Sequence, residues 1–478
     1  MTLGITSIGA YVPRYRLKRE AIAAAHRWMA PSGGGKGHRA FCGWDEDAIT
    51  MAVEAGRDCL RGLDPAAMSS LLVASTTLPY ADLQNSAIVA GALDLPDSVA
   101  TADATGSQRA ATSALLAALR GGQDGTLLIA SDRPRAKPAS SQEAAYGAGA
   151  AAVAIGAGDI LARLVGHASI AANFVDHFRA AGAAHDYAWE ERWIRDEGYG
   201  RLLPRGVKAA LESAGLAIGD ISHLVLPAFG RGVAQTVAKS LRFGGTVADG
   251  LEAECGYTGA AHALMMLARV LEGAKAGERV LLLGFGQGAD ALILEVMRPH
   301  EPAPGWRGVS GALADAHVTG DYLRMLSFYG EISLEWGMRS EKTGKAALTE
   351  AYRSDDQLAA FKAGRCRACG QIQFPQLAFC VNETCRQPAS QFDAVSLADE
   401  PARILTYTAD WLSYHPAPPL FVGFVQFDNG ARLLMETVDA PASAIEVGVP
   451  VRTVFRIKER DAVRGYNRYF WKATPVTL

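Results

Sequence analysis

Cys366, Cys369, Cys380 and Cys385 form a CxxC pair and a CxxxxC pair separated by ten residues. Four thiolates on two short loops can close a tetrahedral Zn²⁺ site, and four protein ligands leave no open position for chemistry, so such a metal would be structural. Gly370, directly after the first pair, supplies the backbone freedom of a tight metal loop, and Phe374-Pro375 suits a short extended arm returning to the second pair. Four ordinary reduced cysteines and a disulfide pair are the alternative readings. Cys42 has no histidine or second thiol at ligand spacing, and Cys59 falls on an apolar helical face. Cys255 sits in a Gly-rich turn, as a small buried residue or as a thiol entering a pocket.

Two glycine clusters invite and then fail a phosphate-binding reading. In Ser32-Gly33-Gly34-Gly35-Lys36-Gly37 the first motif glycine is replaced by Ala30, the hydroxyl residue by Gly37, and no strand precedes it. Gly284-Phe285-Gly286-Gln287-Gly288 is followed by the strand-like run Ala291–Val296 rather than a helix, which excludes a dinucleotide fingerprint.

The elements that must position this chemistry repeat. Gly4–Val12 reads as an opening strand, and Asp45-Glu46-Asp47 opens a helix whose N-terminus those acids complement. Leu71–Ser75 is a strand, Gln108–Leu119 a small-residue helix, Thr126–Ala130 a strand, and Tyr146-Gly147-Ala148-Gly149 turns into Ala150–Ile155. The same order returns roughly 150 residues later as His223–Leu226, Gly259–Ala274, Val280–Leu283 and the turn at 284–288. A duplicated α/β unit is the economical explanation. Phe174–Arg179 and Trp189–Trp193 read as amphipathic helical segments of a cap, and Pro299–Lys362 as a connecting segment. Beyond the thiols, Ala402–Asp410, Leu420–Phe427, Arg432–Thr437, Val449–Ile457 and Tyr466–Ala473 are short strands, with a hairpin signal at Asn429-Gly430. They suit a small barrel of the OB type.

The chain has 478 residues, 49% hydrophobic and 20% charged, which is an ordinary globular balance. Its net charge of −3, from 47 Lys+Arg against 50 Asp+Glu, makes no electrostatic case for nucleic acid or an anionic membrane. Without a run of about 18 apolar residues or a signal-like Met1–Arg14, and with seven cysteines of which four form one cluster, the expectation is a cytoplasmic protein.

The duplicated halves resemble the thiolase superfamily, and within it the 3-hydroxy-3-methylglutaryl-CoA synthase and ketoacyl-acyl-carrier-protein synthase III branch. The resemblance is carried by Trp44-Asp45-Glu46-Asp47, Ser75-Thr76-Thr77-Leu78-Pro79-Tyr80, Asp103 with Thr112-Ser113-Ala114-Leu115, Val237-Ala238-Lys239-Ser240-Leu241 and the turn at 284–288. The thiol segment and the following strands look like an acyl-CoA-associated family that joins a zinc ribbon to an OB fold, and Gly465–Pro475 looks like its ending. The fold implied is α/β, a duplicated thiolase-type five-layer fold followed by a zinc ribbon and a small all-β OB barrel. Its boundaries are 1–163 and 164–298 for the halves, 299–363 for a connecting segment, 364–393 for the ribbon and 394–478 for the barrel.

The resemblance also implies which residues should act, and here the chain departs from it. Active relatives carry a nucleophilic cysteine at the head of the helix after the Asp103-type strand, where this chain has Gln108. Their histidine and asparagine fall at Pro227 and Tyr257, and their glutamate base at Thr76. Gln108 and Tyr257 are therefore the candidate catalytic pair, a phenol near a thioester being a possible acid or base. Ser107 and Arg109 are candidate substrate-binding residues, Arg109 pairing with a carboxylate or phosphate or else forming a structural salt bridge. His262 reads as a core histidine. The implied function is a synthase-like subunit without the Cys/His/Asn triad, acting with a thiolase-family partner in an acyl-CoA acyltransferase or C–C bond-forming or cleaving complex. A stand-alone aldolase-type lyase or decarboxylase on an acyl-CoA is the alternative, and an active synthase-like acyltransferase comes last. The ligands implied are a CoA thioester and structural Zn²⁺, and the assembly a homodimer or hetero-oligomer.

Overall fold

A computed structural model describes residues 2–29, 35–230, 232–341 and 344–476. Part of the glycine–lysine loop, from Ser32 to Gly34, lies outside the described residues. The chain forms two compact units, one comprising Met1–Cys42, Asp47–Ala90 and Pro96–Tyr322, the other Gly43–Glu46, Gly91–Leu95 and Leu323–Leu478.

The first unit is built on ten strands: β1 (Gly4–Tyr11), β2 (Ser70–Ala74), β3 (Ala100–Ala104), β4 (Thr126–Asp132), β5 (Gly149–Gly156), β6 (Ala162–Ala171), β7 (His223–Val225), β8 (Thr246–Val247), β9 (Arg279–Phe285) and β10 (Gly288–Val296). They pair in the order β8-β7-β9-β10-β6-β1-β5-β4-β2-β3. Read inward from either edge, the first five strands run 3-2-4-5-1 and the second five 8-7-9-10-6, so each half repeats the other's topology. The pairing types repeat as well: β2 is parallel to β3 and β4, and β7 to β8 and β9, while β4–β5 and β9–β10 are antiparallel. The halves join through the antiparallel pairs Gly4–Arg163 and Ile5–Ala162.

Helices α1 (Ala48–Cys59), α2 (Ala110–Gly121), α3 (Gly200–Ala214) and α4 (His262–Leu271) cover this sheet. Asp47 caps α1, its carboxylate accepting from Thr50 N at 2.9 Å while Thr50 Oγ1 accepts from Asp47 N at 2.9 Å. The small residues of α2 and α4 let both helices bury almost a whole face in one apolar core with Leu128, Val153, Leu282 and Leu292. One helical expectation fails. Phe174–Arg179 is not helical but holds the strand His177–Phe178, paired with Tyr187–Ala188, and its backbone bonds run across the hairpin, the Asp176 carbonyl accepting from Trp189 N at 2.9 Å. The connecting segment contains the helices Gly308–Ala314 and Tyr322–Tyr329.

The second unit holds a three-stranded sheet and a six-stranded one. In the first, β11 (Lys362–Cys366) lies between β12 (Ile372–Gln373) and β13 (Phe392–Ser396). The second comprises β14 (Ala402–Ile404), β15 (Thr408–Asp410), β16 (Leu420–Phe427), β17 (Arg432–Glu436), β18 (Pro450–Asp461) and β19 (Tyr466–Pro475). The strand β14 pairs with β16 and β18, β16 with β15 and β17, and β18 with β19. Thr437, one residue past β17, makes a parallel bridge to Ala473 of β19. Trp471 is 1% exposed and stacks on Phe361 with 5.5 Å between centroids.

Asp45 and Glu46 do not cap α1. They belong to the second unit, where Lys472 Nζ lies 2.9 Å from both Asp45 Oδ2 and Glu436 Oε2 and 4.2 Å from the Trp44 ring centroid. Arg456 is shared in the same way by Asp439 at 2.7 Å and Glu46 at 3.2 Å. Lys472, Asp45, Arg456, Asp439 and Glu46 are almost wholly buried, so each requires its partner. Lys472→Met leaves Asp45 without its cation, and unfolding in urea is expected to show a loss of about 3–5 kcal/mol. Combining it with Asp45→Asn should lose less than the sum of the two single changes.

Candidate functional site

The site is assembled where the first half's elbow meets the second half's turn. Gly106, with φ of 89°, ends β3 sharply, and Ser107 receives the N–H groups of Arg109 at Oγ and Ala110 at its carbonyl before α2 begins. Ser107 Oγ in turn donates to the Gly286 carbonyl at 3.0 Å. The glycines at 284–288 have a packing reason here. A side chain on Gly284 would meet Thr112 Oγ1 at 2.0 Å, and one on Gly288 would meet the Ile170 carbonyl at 2.1 Å. The turn between β9 and β10 is thereby pressed against the head of α2.

Tyr257 is fixed from the other side. Its N–H donates to the Ala145 carbonyl, and its own carbonyl accepts from Gly147 N, both at 2.8 Å. Its phenol, within a residue 4% exposed, donates to Gln108 Oε1 at 2.8 Å. Sequence reasoning named both residues separately, and the structure brings them into one hydrogen bond. Burial, reinforced by the neighbouring phenols Tyr199 and Tyr146, pushes the Tyr257 hydroxyl well up, so it remains protonated and acts as a donor. With Oε1 already accepting, the Gln108 amide keeps its N–H₂ as the remaining donor.

The other candidates have structural partners. Arg109 donates to Asp290 Oδ1 at 2.8 Å and to the Gly286 carbonyl at 2.8 Å. The same wholly buried Asp290 accepts from Thr112, Ser113 and Ser169. Thr76 Oγ1 donates to Asp132 Oδ2 at 2.7 Å, and that buried carboxylate also accepts from Thr77 Oγ1 and Ala260 N. Pro227 is buried just past β7, and the ring of nearby Phe229 lies 6.0 Å from that of Tyr257. His262 is buried beside Tyr257, 4.8 Å between ring centroids, with Nδ1 at 3.1 Å from Thr258 Oγ1. Burial holds this imidazole down at about 4, so it is neutral near pH 7.

A cavity of about 680 Å³ opens on Tyr257 and Phe229, with Arg19, Lys36, Glu191 and Glu252 among its lining residues. Arg19 was not found from sequence, since it lies in a short helix with no motif around it, whereas Lys36 belongs to the glycine–lysine loop set aside as a phosphate motif. Cys255 lies under this wall, wholly buried, and desolvation pushes its thiol up to about 12.

In the second unit the four motif cysteines converge, their sulfurs all within 4.8 Å of one another. Cys366 and Cys385 are 3.7 Å apart and Cys369 and Cys380 3.6 Å, too far for disulfides. Tetrahedral Zn²⁺ with bonds of about 2.3 Å requires sulfur–sulfur edges of about 3.8 Å, so the residues fit that ion. Backbone N–H groups of Cys369 and Ala368 bond the Cys366 sulfur and hold its thiol down to about 7. Gly370, with φ of 75°, completes this loop.

Fold and site together define a thiolase-type α/β protein. Residues 211–295 match the model of the 3-oxoacyl-[acyl-carrier-protein] synthase III C-terminal family. The hydroxymethylglutaryl-CoA synthase of Methanosarcina mazei is 30% identical over 351 residues, 70% of this chain and 100% of that protein. That of Methanocella arvoryzae is 31% identical over 300 residues, 60% of this chain and 86% of its own. Among solved structures, MvaS in complex with 3-hydroxy-3-methylglutaryl coenzyme A superposes with a TM-score of 0.57 at 20% identity, covering 68% of this chain and 91% of that one. The chain belongs to the hydroxymethylglutaryl-CoA synthase family. Among the described residues, no helix is long and apolar enough to cross a membrane.

The burial of Cys42, Cys59 and Cys255 predicts that a thiol reagent at pH 8 labels none of the three in the native protein and all three in denaturant. Rapid native labelling of Cys255, read by peptide mass mapping, would instead put a reactive thiol beside Tyr257.

Proposed function

We propose that the first unit binds an acyl-CoA thioester without carrying the acyl group on a side chain of its own. The observation that carries this reading is the Gln108–Tyr257 bond at the head of α2. The carboxamide nitrogen lone pair is delocalised, so Gln108 is no nucleophile and cannot accept the acyl group. Its N–H₂ group can still donate to a thioester carbonyl or to the enolate derived from it. Arg19 and Lys36, on the cavity that reaches Tyr257, suit the phosphates of CoA, and membership in the synthase family supports the same ligand class. In this reading the covalent step belongs to a thiolase-family partner, and the two chains form an acyl-CoA acyltransferase or C–C bond-forming or cleaving complex. A lyase acting alone is the second reading, favoured by the protonated Tyr257 hydroxyl, which can serve as an acid.

The four thiols we assign to structural Zn²⁺, held by Cys366, Cys369, Cys380 and Cys385, whose sulfur spacing supports it. The pairings of β14, β16, β17, β19 and β18, with the parallel bridge from Thr437 to Ala473, support an OB-type barrel over 394–478 following a ribbon over 364–393.

Calorimetry should find saturable binding of acetyl-CoA or acetoacetyl-CoA to the chain alone, and intact-mass spectrometry should find no acyl adduct. Net conversion to product should require the partner. Net conversion without one moves the assignment to the lyase, and an adduct within α2 overturns the reading. Metal analysis should find one zinc per chain, lost together with the ordered ribbon in Cys380→Ser.

A further inference from the structure

A second cavity, of about 410 Å³, is lined by Thr76, Ser107, His177, Arg179, Asp186 and Gln287 among others. Two of these residues tie it to the elbow. Ser107 immediately precedes Gln108, and Thr76 stands where, on the family resemblance, the glutamate base has been lost. The Thr76 hydroxyl is committed to Asp132 and is no base itself.

The neighbouring imidazole is arranged differently. Gln287 Nε2 donates to Asp176 Oδ1 at 2.6 Å, and Asp176 Oδ2 lies 2.8 Å from His177 Nδ1. Asp176 is thus held at both oxygens, and it fixes the neutral His177 as the Nδ1–H tautomer with its lone pair on Nε2. Among the described residues Nε2 has no hydrogen-bond partner. The surrounding charges are anchored too: Arg179 pairs with Asp186 at 2.5 Å and donates to the Thr76 carbonyl, and Arg135 lies in the field of Asp186 and Asp132. Burial alone would lower the His177 pKa, but the bond and charge of Asp176, aided by Asp186 and Asp132, outweigh it and leave the pKa raised.

We propose that His177, oriented by Asp176, is the proton acceptor for the C2–H of a CoA thioester whose carbonyl is held by Gln108. The assignment rests on the acyl-CoA reading above and adds a base to it. In the step, the C2–H bond breaks and an N–H bond forms at Nε2. The electron pair moves onto the thioester oxygen as an enolate, which the Gln108 amide receives. Return of the proton restores the thioester, so no oxidant, reductant or second substrate is needed.

Acetyl-CoA incubated with the full chain in D₂O reads this step directly, as deuterium at C2 measured by NMR. Wild type should exchange, and His177→Gln should exchange at least about a hundredfold more slowly with unchanged acetyl-CoA affinity. The wild-type rate should rise with pH through an inflection above the ordinary imidazole value, a readout that needs no variant. In Asp176→Asn that inflection should move to lower pH. Failure to bind acetyl-CoA sinks the acyl-CoA reading itself. Binding without exchange, exchange undiminished in His177→Gln, or an inflection unmoved in Asp176→Asn overturns only the role given to His177.

Discussion

A phenol buried in an apolar wall requires an acceptor, and in this molecule the head of α2 provides it. The bond from Tyr257 to Gln108 ties the two halves of the duplicated fold together. Replacing the amide by a thiol would leave the Tyr257 hydroxyl without its carbonyl acceptor, a penalty of about 1–3 kcal/mol for a buried donor. Removing the phenol would in turn leave Gln108 Oε1 without this donor, so each partner satisfies the other in a well-packed site.

Around that bond, buried acids are surrounded by donors. Asp290 draws in Arg109 and three hydroxyls, and Asp132 draws in Thr76, Thr77 and a backbone N–H. A carboxylate so fully satisfied is a fastening, holding the elbow and the loop after β2 in place. His177 differs from these groups because one ring nitrogen is fastened and the other, among the described residues, is not.

Much of the fold could be read from the chain because apolar runs, small-residue helices and glycine turns recur in the same order, and the pairing topology repeats in the same way. The cysteine cluster was readable because ligand spacing is a local property. The hairpin at His177–Phe178 and Tyr187–Ala188 was missed, since a two-residue strand carries too little periodicity to be told from a helix. The Asp176–His177 arrangement was missed for a related reason: its third member, Gln287, arrives from 111 residues away. The acidic run at 45–47 resembles a helix start, and Asp47 acts as one. No local rule reveals that its two neighbours answer cations near the C-terminus.

That last arrangement bears on how the polypeptide matures. Asp45 leaves the ribosome 427 residues ahead of Lys472, and Glu46 similarly precedes Arg456. Throughout synthesis both acids must stay hydrated, because the cations that let them enter a dry interior do not yet exist. The second unit consequently cannot consolidate until Lys472 has been synthesised. It is also no transplantable cassette, because severing the chain near residue 323 would separate it from its own acids.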